Sequence, residues 1–151
     1  MAMIQLPPDF KEFLQLLNSC EVEYLLDGGY AVAFHGYPRT TGDIDIWITP
    51  TRANAEKVLA VLAKFGFGGM GATIELLQEP DKIIRMGNPP LRIELITTIS
   101  GVEFPACYES QILGRIDGLD IRLIDLKHLR QNKLASGRLK DLNDLQNLPE
   151  T

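Results

Sequence analysis

The chain is poor in cysteine and has no long apolar run. Its two cysteines, Cys20 and Cys107, fit neither the spacing of a zinc site nor a disulfide framework. No segment reaches the roughly 18 uninterrupted apolar residues of a membrane-spanning helix, and the N-terminal segment lacks the basic and apolar parts of a signal peptide. We therefore expect two free thiols, no membrane partner and a cytoplasmic location.

Internal repeats, low-complexity tracts and linkers are also absent from the sequence. The length of 151 residues suits one domain and leaves no room for a second core. The net charge of −5 argues against broad electrostatic binding to a nucleic acid. We therefore expect residues 1–151 to form a single globular domain.

The hydrophobic pattern predicts alternating helices and strands. Helices are expected at about residues 8–20, 30–35, 51–66, 73–77, 102–109, 125–135 and 138–147. Strands are expected at about residues 24–26, 43–48, 82–85, 91–97, 111–116 and 119–124. The dipeptide Asp117-Gly118 is a hairpin signal, so at least one strand pair is antiparallel. This order predicts an α/β (α+β) fold with a mixed central sheet, flanking helices and two C-terminal helices.

The last predicted helix carries four leucines at helical spacing. We expect this apolar stripe to hold the helix against the body of the domain. The members of the stripe are Leu139, Leu142, Leu145 and Leu148.

The strand at residues 43–48, DIDIWI, places two acids on one face. Side chains alternate across a strand, so Asp43 and Asp45 point away from the face that carries the isoleucines. Two neighbouring carboxylates raise each other's pKa unless a cation holds them, and Mg²⁺ prefers such oxygen ligands. The pattern is therefore typical of a metal site. The alternative is that Asp43 and Asp45 form an exposed face of an edge strand.

A third carboxylate comes from the strand at residues 91–97. Arg92 and Glu94 share its polar face, so Glu94 becomes the third ligand if this strand lies beside residues 43–48. Three carboxylates can hold two ions roughly 3.5–4 Å apart for an in-line phosphoryl displacement. In the alternative interpretation, Glu94 pairs with Arg92 or with a lysine.

A glycine turn and an arginine precede the acidic strand. Gly28-Gly29 follows a strand and begins a helix, where exposed backbone N–H groups suit a phosphate. Glycines also simply end strands, so this interpretation stays open. Arg39 lies in the following loop, where it could neutralise a phosphate or hold the loop through carbonyl groups. The residues alone do not separate these two roles.

Together these segments resemble the polymerase-β-type nucleotidyltransferases. The resemblance rests on the Gly-Gly turn, the Arg39-Thr40 loop, the Asp-x-Asp strand and the later acidic strand, and it covers about residues 24–148. The chain is more similar to a small bacterial branch that includes the toxins of AbiE-like toxin–antitoxin systems. A C-terminal signature of that branch reads here as Lys133, Arg138, Lys140, Asp141 and Asp144.

The resemblance implies a role for each matching residue. Asp43, Asp45 and Glu94 would bind Mg²⁺ or Mn²⁺, and Glu94 would also be the catalytic base. The nucleotide would be bound by residues from three segments, which are Gly28, Gly29, Arg39, Lys133 and Arg138. Two positions depart from the family pattern, because Gly29 stands where a serine is common and Glu94 where an aspartate is. For the signature, a plain ion pair between Lys140 and Asp144 at i,i+4 is the competing interpretation.

The function implied by the resemblance is the transfer of a nucleoside monophosphate from an NTP to a hydroxyl group. The acceptor would be an RNA such as tRNA, a protein or a small molecule, and an antitoxin would be a natural partner. The alternative is a non-catalytic protein that binds a nucleotide or a partner on the same fold.

Overall fold

The computed structural model describes residues 4–68 and 71–151. The helices are α1 Pro8–Ser19, α2 Gly28–Phe34, α3 Arg52–Phe65, α4 Ile74–Gln78, α5 Phe104–Glu109, α6 Leu126–Ser136 and α7 Leu139–Asn147. The strands are β1 Tyr24–Asp27, β2 Asp43–Ile48, β3 Ile83–Met86, β4 Arg92–Ile96, β5 Ile112–Ile116 and β6 Leu119–Leu123. Within the described ranges, no helix is long and apolar enough to cross a membrane.

The six strands form one mixed sheet in the order β3-β4-β2-β1-β6-β5. β2 runs parallel to β4 and antiparallel to β1, and β1 runs parallel to β6. The hairpins β3–β4 and β5–β6 complete the sheet on its two sides. The predicted mixed sheet with flanking helices is confirmed. β2 lies inside the sheet, so the interpretation of residues 43–48 as an edge strand is wrong.

Local signals in the sequence set most element boundaries. The Thr51 side chain accepts a hydrogen bond from the backbone N–H of Asn54 and so caps α3, which ends at Gly66 with φ +99°. Asp117 and Gly118 both have positive φ, as a tight hairpin turn between β5 and β6 requires. Two helices begin two residues away from the prediction: α2 begins at Gly28 and not near Tyr30, and α5 begins at Phe104 and not at residue 102.

The two faces of β2 bury different side chains. Ile44, Ile46 and Ile48 are fully buried in the hydrophobic core. On the opposite face, Trp47 packs edge-on against Phe104 of α5 with 5.0 Å between ring centroids. α5 therefore covers only the Trp47 end of this face, which leaves the Asp43 and Asp45 end open to a cavity.

Helix α7 packs through its acidic side, so the predicted leucine stripe is wrong. Leu139 is 87% exposed and Leu142 is 39% exposed, whereas Leu148, after the end of the helix, is buried. Asp141 and Asp144 are instead 1% and 0% exposed. Burial of two carboxylates is favourable only when cations compensate them, and those cations belong to the candidate site.

Candidate active site

Three neighbouring strands place one carboxylate each in a single row. Asp27 at the end of β1 lies opposite Asp45 of β2, and Asp45 lies opposite Glu94 of β4. The sequence analysis expected Glu94 beside Asp45 if the two strands were neighbours, and the register confirms that placement. Asp27 extends the row by one residue that the sequence analysis did not select.

Two of the acids are paired with arginines from the same sheet. Arg92 donates from Nη2 and Nε to the two carboxylate oxygens of Asp43, at 3.2 and 3.3 Å. Arg85 of β3 donates from Nε to Glu94 Oε1 at 3.1 Å. Glu94 therefore has an arginine partner, but this partner is Arg85 and not Arg92. These pairs are partly exposed, so they are open to exchange with a charged ligand.

The other two acids of the row have an oxygen atom with no partner. Oδ1 of Asp27 and Oδ1 of Asp45 are buried and accept no hydrogen bond. Burial raises the pKa of both carboxyl groups; that of Asp45 rises to about 7, with the charges of Asp27 and Glu94 adding to the shift. A cation would stabilise the ionised forms of both groups.

The same atoms test whether the residues fit a divalent ion. Within the described residues, no group of three or more His, Cys, Asp or Glu side chains is arranged to hold a metal ion. Mg²⁺, however, is usually bound through one or two carboxylates, with waters and substrate phosphates completing the octahedron. Asp27 and Asp45 supply two carboxylates with unpartnered oxygens, which is the number that Mg²⁺ usually needs. The residues therefore fit the ion.

The glycine turn lies directly against the carboxylates. Gly28 has φ +66°, and a Cβ at this position would collide with the Asp45 carboxylate. A Cβ at Gly29 would lie 2.6 Å from Oγ1 of Thr41. The hydroxyl of Thr41 therefore occupies the space that a serine side chain at position 29 would need. This contact gives a physical reason for the departure from the family pattern.

A group of ion pairs built on the buried acids Asp141 and Asp144 forms a second wall of the site. Arg39 donates from Nε and Nη2 to the two carboxylate oxygens of Asp144, both at 2.7 Å. Lys133 Nζ lies 3.0 Å from Asp141 Oδ1 and 3.0 Å from Asp144 Oδ2. An ammonium group has three donors, so two carboxylates leave Lys133 one N–H for a ligand. Arg39 holds its loop through a carboxylate and not through carbonyl groups.

Arg138 completes this wall. Its Nε donates to Asp141 Oδ2 at 2.7 Å, and Ser136 Oγ donates to the same oxygen. Burial alone would raise the pKa of Asp141, but hydrogen bonds from Ser136, Arg138 and Lys133 outweigh it and lower the pKa to about 2. Because Arg39 and Lys133 bind Asp144, the alternative pairing of Asp144 with Lys140 is not what the structure has.

All eight residues selected from the sequence line one cavity of about 860 Å³. These residues are Gly28, Gly29, Arg39, Asp43, Asp45, Glu94, Lys133 and Arg138. The cavity also receives Asp27 and Arg85, which the sequence analysis missed. Asp27 could have been found from its place beside Gly28 at the end of an apolar strand. Arg85 had no comparable signal, because its strand could not be paired with β4 from the sequence.

Two comparisons with known proteins agree with this geometry. The sequence profile of the aminoglycoside-2''-adenylyltransferase family matches residues 9–99, which is more than half of the chain. The chain belongs to this family. No curated protein matches the chain significantly. A solved structure from Thermotoga maritima, provisionally assigned as a nucleotidyltransferase, is similar with a TM-score of 0.60 and 15% identity. The similarity covers 95% of this chain and 94% of that one.

The comparisons establish the fold and the superfamily. This protein has the nucleotidyltransferase fold and belongs to the nucleotidyltransferase superfamily, as the sequence analysis expected. The match at residues 9–99 includes the glycine turn and the acids of β2 and β4, whereas Lys133 and Arg138 lie outside it. The more specific resemblance to AbiE-like toxins stays a prediction.

Proposed function

We propose that this protein is a magnesium-dependent nucleotidyltransferase that moves a nucleoside monophosphate from an NTP to a hydroxyl acceptor and releases pyrophosphate. The observation that supports this proposal best is the row of Asp27, Asp45 and Glu94 at the base of one large cavity. Such transfers depend on positioning the reactants and neutralising charge. A row of carboxylates in the same cavity as Lys133 and Arg138 would provide both.

Each proposed role uses a different part of the cavity. Asp43 and Asp45 would hold Mg²⁺ or Mn²⁺, which neutralises phosphate charge and activates the attacking hydroxyl when bound. The backbone N–H groups of Gly28 and Gly29 would bind phosphate oxygens. The third N–H of Lys133 would donate to the triphosphate, with Arg39 and Arg138 nearby to hold the wall in place.

Glu94 would accept the proton of the acceptor hydroxyl. The hydroxyl oxygen then forms a bond to the α-phosphorus, and the bond from that phosphorus to the bridging oxygen of pyrophosphate breaks. Arg85 donates to Glu94 Oε1 at 3.1 Å, and this hydrogen bond orients the carboxylate. A general base must be held within hydrogen-bond reach of the proton that it accepts, and the contact with Arg85 would help to hold Glu94 in place.

The acceptor of the proposed transfer is a molecule with a free hydroxyl group. The matched family is named for adenylyl transfer to an aminoglycoside, so a small polyhydroxylated molecule is the first acceptor to test. RNA, including tRNA, and protein hydroxyls come next. From the C-terminal signature alone, we also propose the AbiE-like toxin role, with an antitoxin protein as partner and a cytoplasmic location. We further propose that residues 1–151 act as one domain.

A non-catalytic nucleotide- or partner-binding protein is the second candidate. The pairing of Asp43 with Arg92 and of Glu94 with Arg85 favours it, because these acids have partners within the chain. A binding protein would bind an NTP without transferring it.

A transfer assay with two labels separates the candidates. We expect wild type with Mg²⁺ to move label from the α-phosphate of one NTP, and none from the γ-phosphate, to one member of a panel of aminoglycosides, RNAs and proteins. Glu94→Gln should keep its NTP affinity and lose about 10²-fold or more in rate, because it removes the general base. Glu56→Gln is the control, since Glu56 is also paired with an arginine but lies on α3 outside the cavity.

The outcomes of this assay are distinct. Transfer that survives Glu94→Gln would show that Glu94 is not the base. NTP binding without transfer to any member of the panel favours the binding protein. If wild type neither binds nor transfers any NTP, the transferase and the nucleotide-binding protein are both wrong.

A further inference from the structure

The buried carboxyl oxygens without partners are concentrated at one point of the fold. In residues 4–68 and 71–151, the buried side-chain polar atoms that make no hydrogen bond are Oδ1 of Asp27 and Oδ1 of Asp45. These two residues face each other across the β1–β2 pair. Both residues line the cavity. The two unpartnered oxygens therefore belong to neighbouring residues of one cavity.

Such an arrangement is unfavourable for the chain by itself. A buried polar atom without a hydrogen bond costs about 1–3 kcal/mol, and an ionised one costs more. Two carboxylates in direct register also repel each other. Gly28 brings them close, because the absence of a Cβ lets the Asp45 carboxylate lie against the turn that follows Asp27.

None of the neighbouring cations that the structure describes forms an ion pair with Asp27 or Asp45. Lys133 is the cation whose charge acts most strongly on Asp27, but its ammonium group is bound by Asp141 and Asp144 at 3.0 Å each. Arg92 and Arg85 are bound to Asp43 and Glu94. These three cations are thus already paired, and Lys140 of α7 acts on Asp45 by its charge without a hydrogen bond to it.

We propose that Asp27 and Asp45 form the primary divalent-cation site and that this site is loaded before the NTP. The inference rests on the proposed function and adds Asp27 to the residues that hold the ion. In this arrangement, Asp43 and Glu94 stay with their arginines until the triphosphate enters the cavity. Arg92 would then bind a phosphate group of the NTP in place of the Asp43 carboxylate. Asp43 would thereby become free to bind the ion.

The site differs from the one that the sequence pattern indicates. The alternating pattern of β2 selects Asp43 and Asp45, which are two residues apart on one strand. The register across strands selects Asp27 and Asp45. Asp43 accepts hydrogen bonds from Arg92, so it does not bind the ion before the NTP enters. The order of loading therefore follows from which carboxylates are already occupied.

The test is Mn²⁺ binding without any nucleotide, measured by the loss of the free-ion electron paramagnetic resonance signal. Asp27→Asn and Asp45→Asn should each weaken Mn²⁺ affinity by about tenfold or more, since even supporting residues of a metal site contribute this much. Asp43→Asn should weaken it less than Asp27→Asn does. Asp120→Asn is the control, because Asp120 is a strand acid paired with Arg115 and lies outside the cavity.

A second readout does not use the metal at all. In metal-free protein, Asp27→Asn should melt at the same or a higher temperature than wild type, because it removes a buried charge and can donate a hydrogen bond to Asp45. If Asp27 were a structural residue, this variant would melt at a lower temperature. Should Asp27→Asn not fold, Asp27→Ser provides the same comparison with a smaller side chain.

Failure of this inference can be told apart from failure of the proposed function. If wild type binds Mn²⁺ and Asp27→Asn binds it equally well, the role of Asp27 is wrong and the transferase proposal stands. A larger loss in Asp43→Asn than in Asp27→Asn also overturns the order of loading. If wild type binds no Mn²⁺ with or without NTP, both proposals are wrong.

Discussion

Gly28 lies at φ +66°, directly against the Asp45 carboxylate. An alanine in this left-handed conformation costs about 1–2 kcal/mol in backbone strain, and its Cβ would also displace Asp45. We expect Gly28→Ala to destabilise the protein by more than this strain alone and to weaken Mn²⁺ binding. The measurements are urea unfolding and metal titration of the same preparation.

Gly118 supplies the matched control for this substitution. It has φ +81° in the β5–β6 turn, and a Cβ there would meet nothing within 4 Å. Gly118→Ala should therefore show the backbone strain without any change in metal affinity. Equal losses of stability in the two variants, with metal affinity intact in both, would mean that the contact between Gly28 and Asp45 has no role.

Helix α7 is attached to the active site through Asp144. This carboxylate binds Arg39 and Lys133 in a fully buried position. Asp144→Asn leaves the buried Lys133 and the partly buried Arg39 with a weaker partner, and removal of one member of a buried ion pair typically costs about 3–5 kcal/mol. We expect a loss of stability of this order in urea unfolding, together with weaker NTP binding.

Lys140→Gln tests the competing interpretation of the same helix. If the i,i+4 pair of Lys140 and Asp144 held α7, this variant would also be destabilised, by about 0.3–0.5 kcal/mol. The structure assigns Asp144 to Arg39 and Lys133, so unfolding of Lys140→Gln should match wild type. A large effect in Lys140→Gln and a small one in Asp144→Asn would reverse our assignment.

The sequence predicted the elements better than it predicted their partners. The strand of β2, the capped helix α3 and the β5–β6 hairpin were readable because their signals are local. The packing of α7 was not, because the arginine that binds Asp144 lies 105 residues earlier in the chain. Asp27 was missed for a similar reason, since its importance depends on the register with Asp45. Contacts between distant segments decide which polar residues are buried, and no local pattern contains that information.

The stability of the whole protein should depend on pH, and Asp141 should contribute to this dependence. In the folded state its pKa is lowered from 3.8 to about 2, because hydrogen bonds from Ser136, Arg138 and Lys133 outweigh the effect of burial. A lowered carboxyl pKa adds stability that is fully present above the unfolded-state pKa and is lost as the pH falls through the folded-state value. The shift corresponds to about 2 kcal/mol.

We expect the free energy of unfolding of wild type to fall by about 2 kcal/mol more than that of Asp141→Asn between about pH 5 and pH 2. Urea unfolding at several pH values measures this difference. Asp120→Asn, which changes an exposed ion pair, should follow the wild-type curve. If Asp141→Asn also follows the wild-type curve, the ion pairs of Asp141 with Lys133 and Arg138 do not stabilise the folded protein.

The bond between Arg39 and Asp144 also has a consequence for the newly made protein. The two residues are 105 positions apart, and a ribosome adds about 5–20 residues per second. Translation therefore takes on the order of 5–20 s to proceed from Arg39 to Asp144. Asp43, Asp45 and Glu94 are added to the chain in the first part of that interval, and Lys133 and Arg138 only near its end. We expect the nascent chain to be inactive until α7 has been synthesised and has emerged.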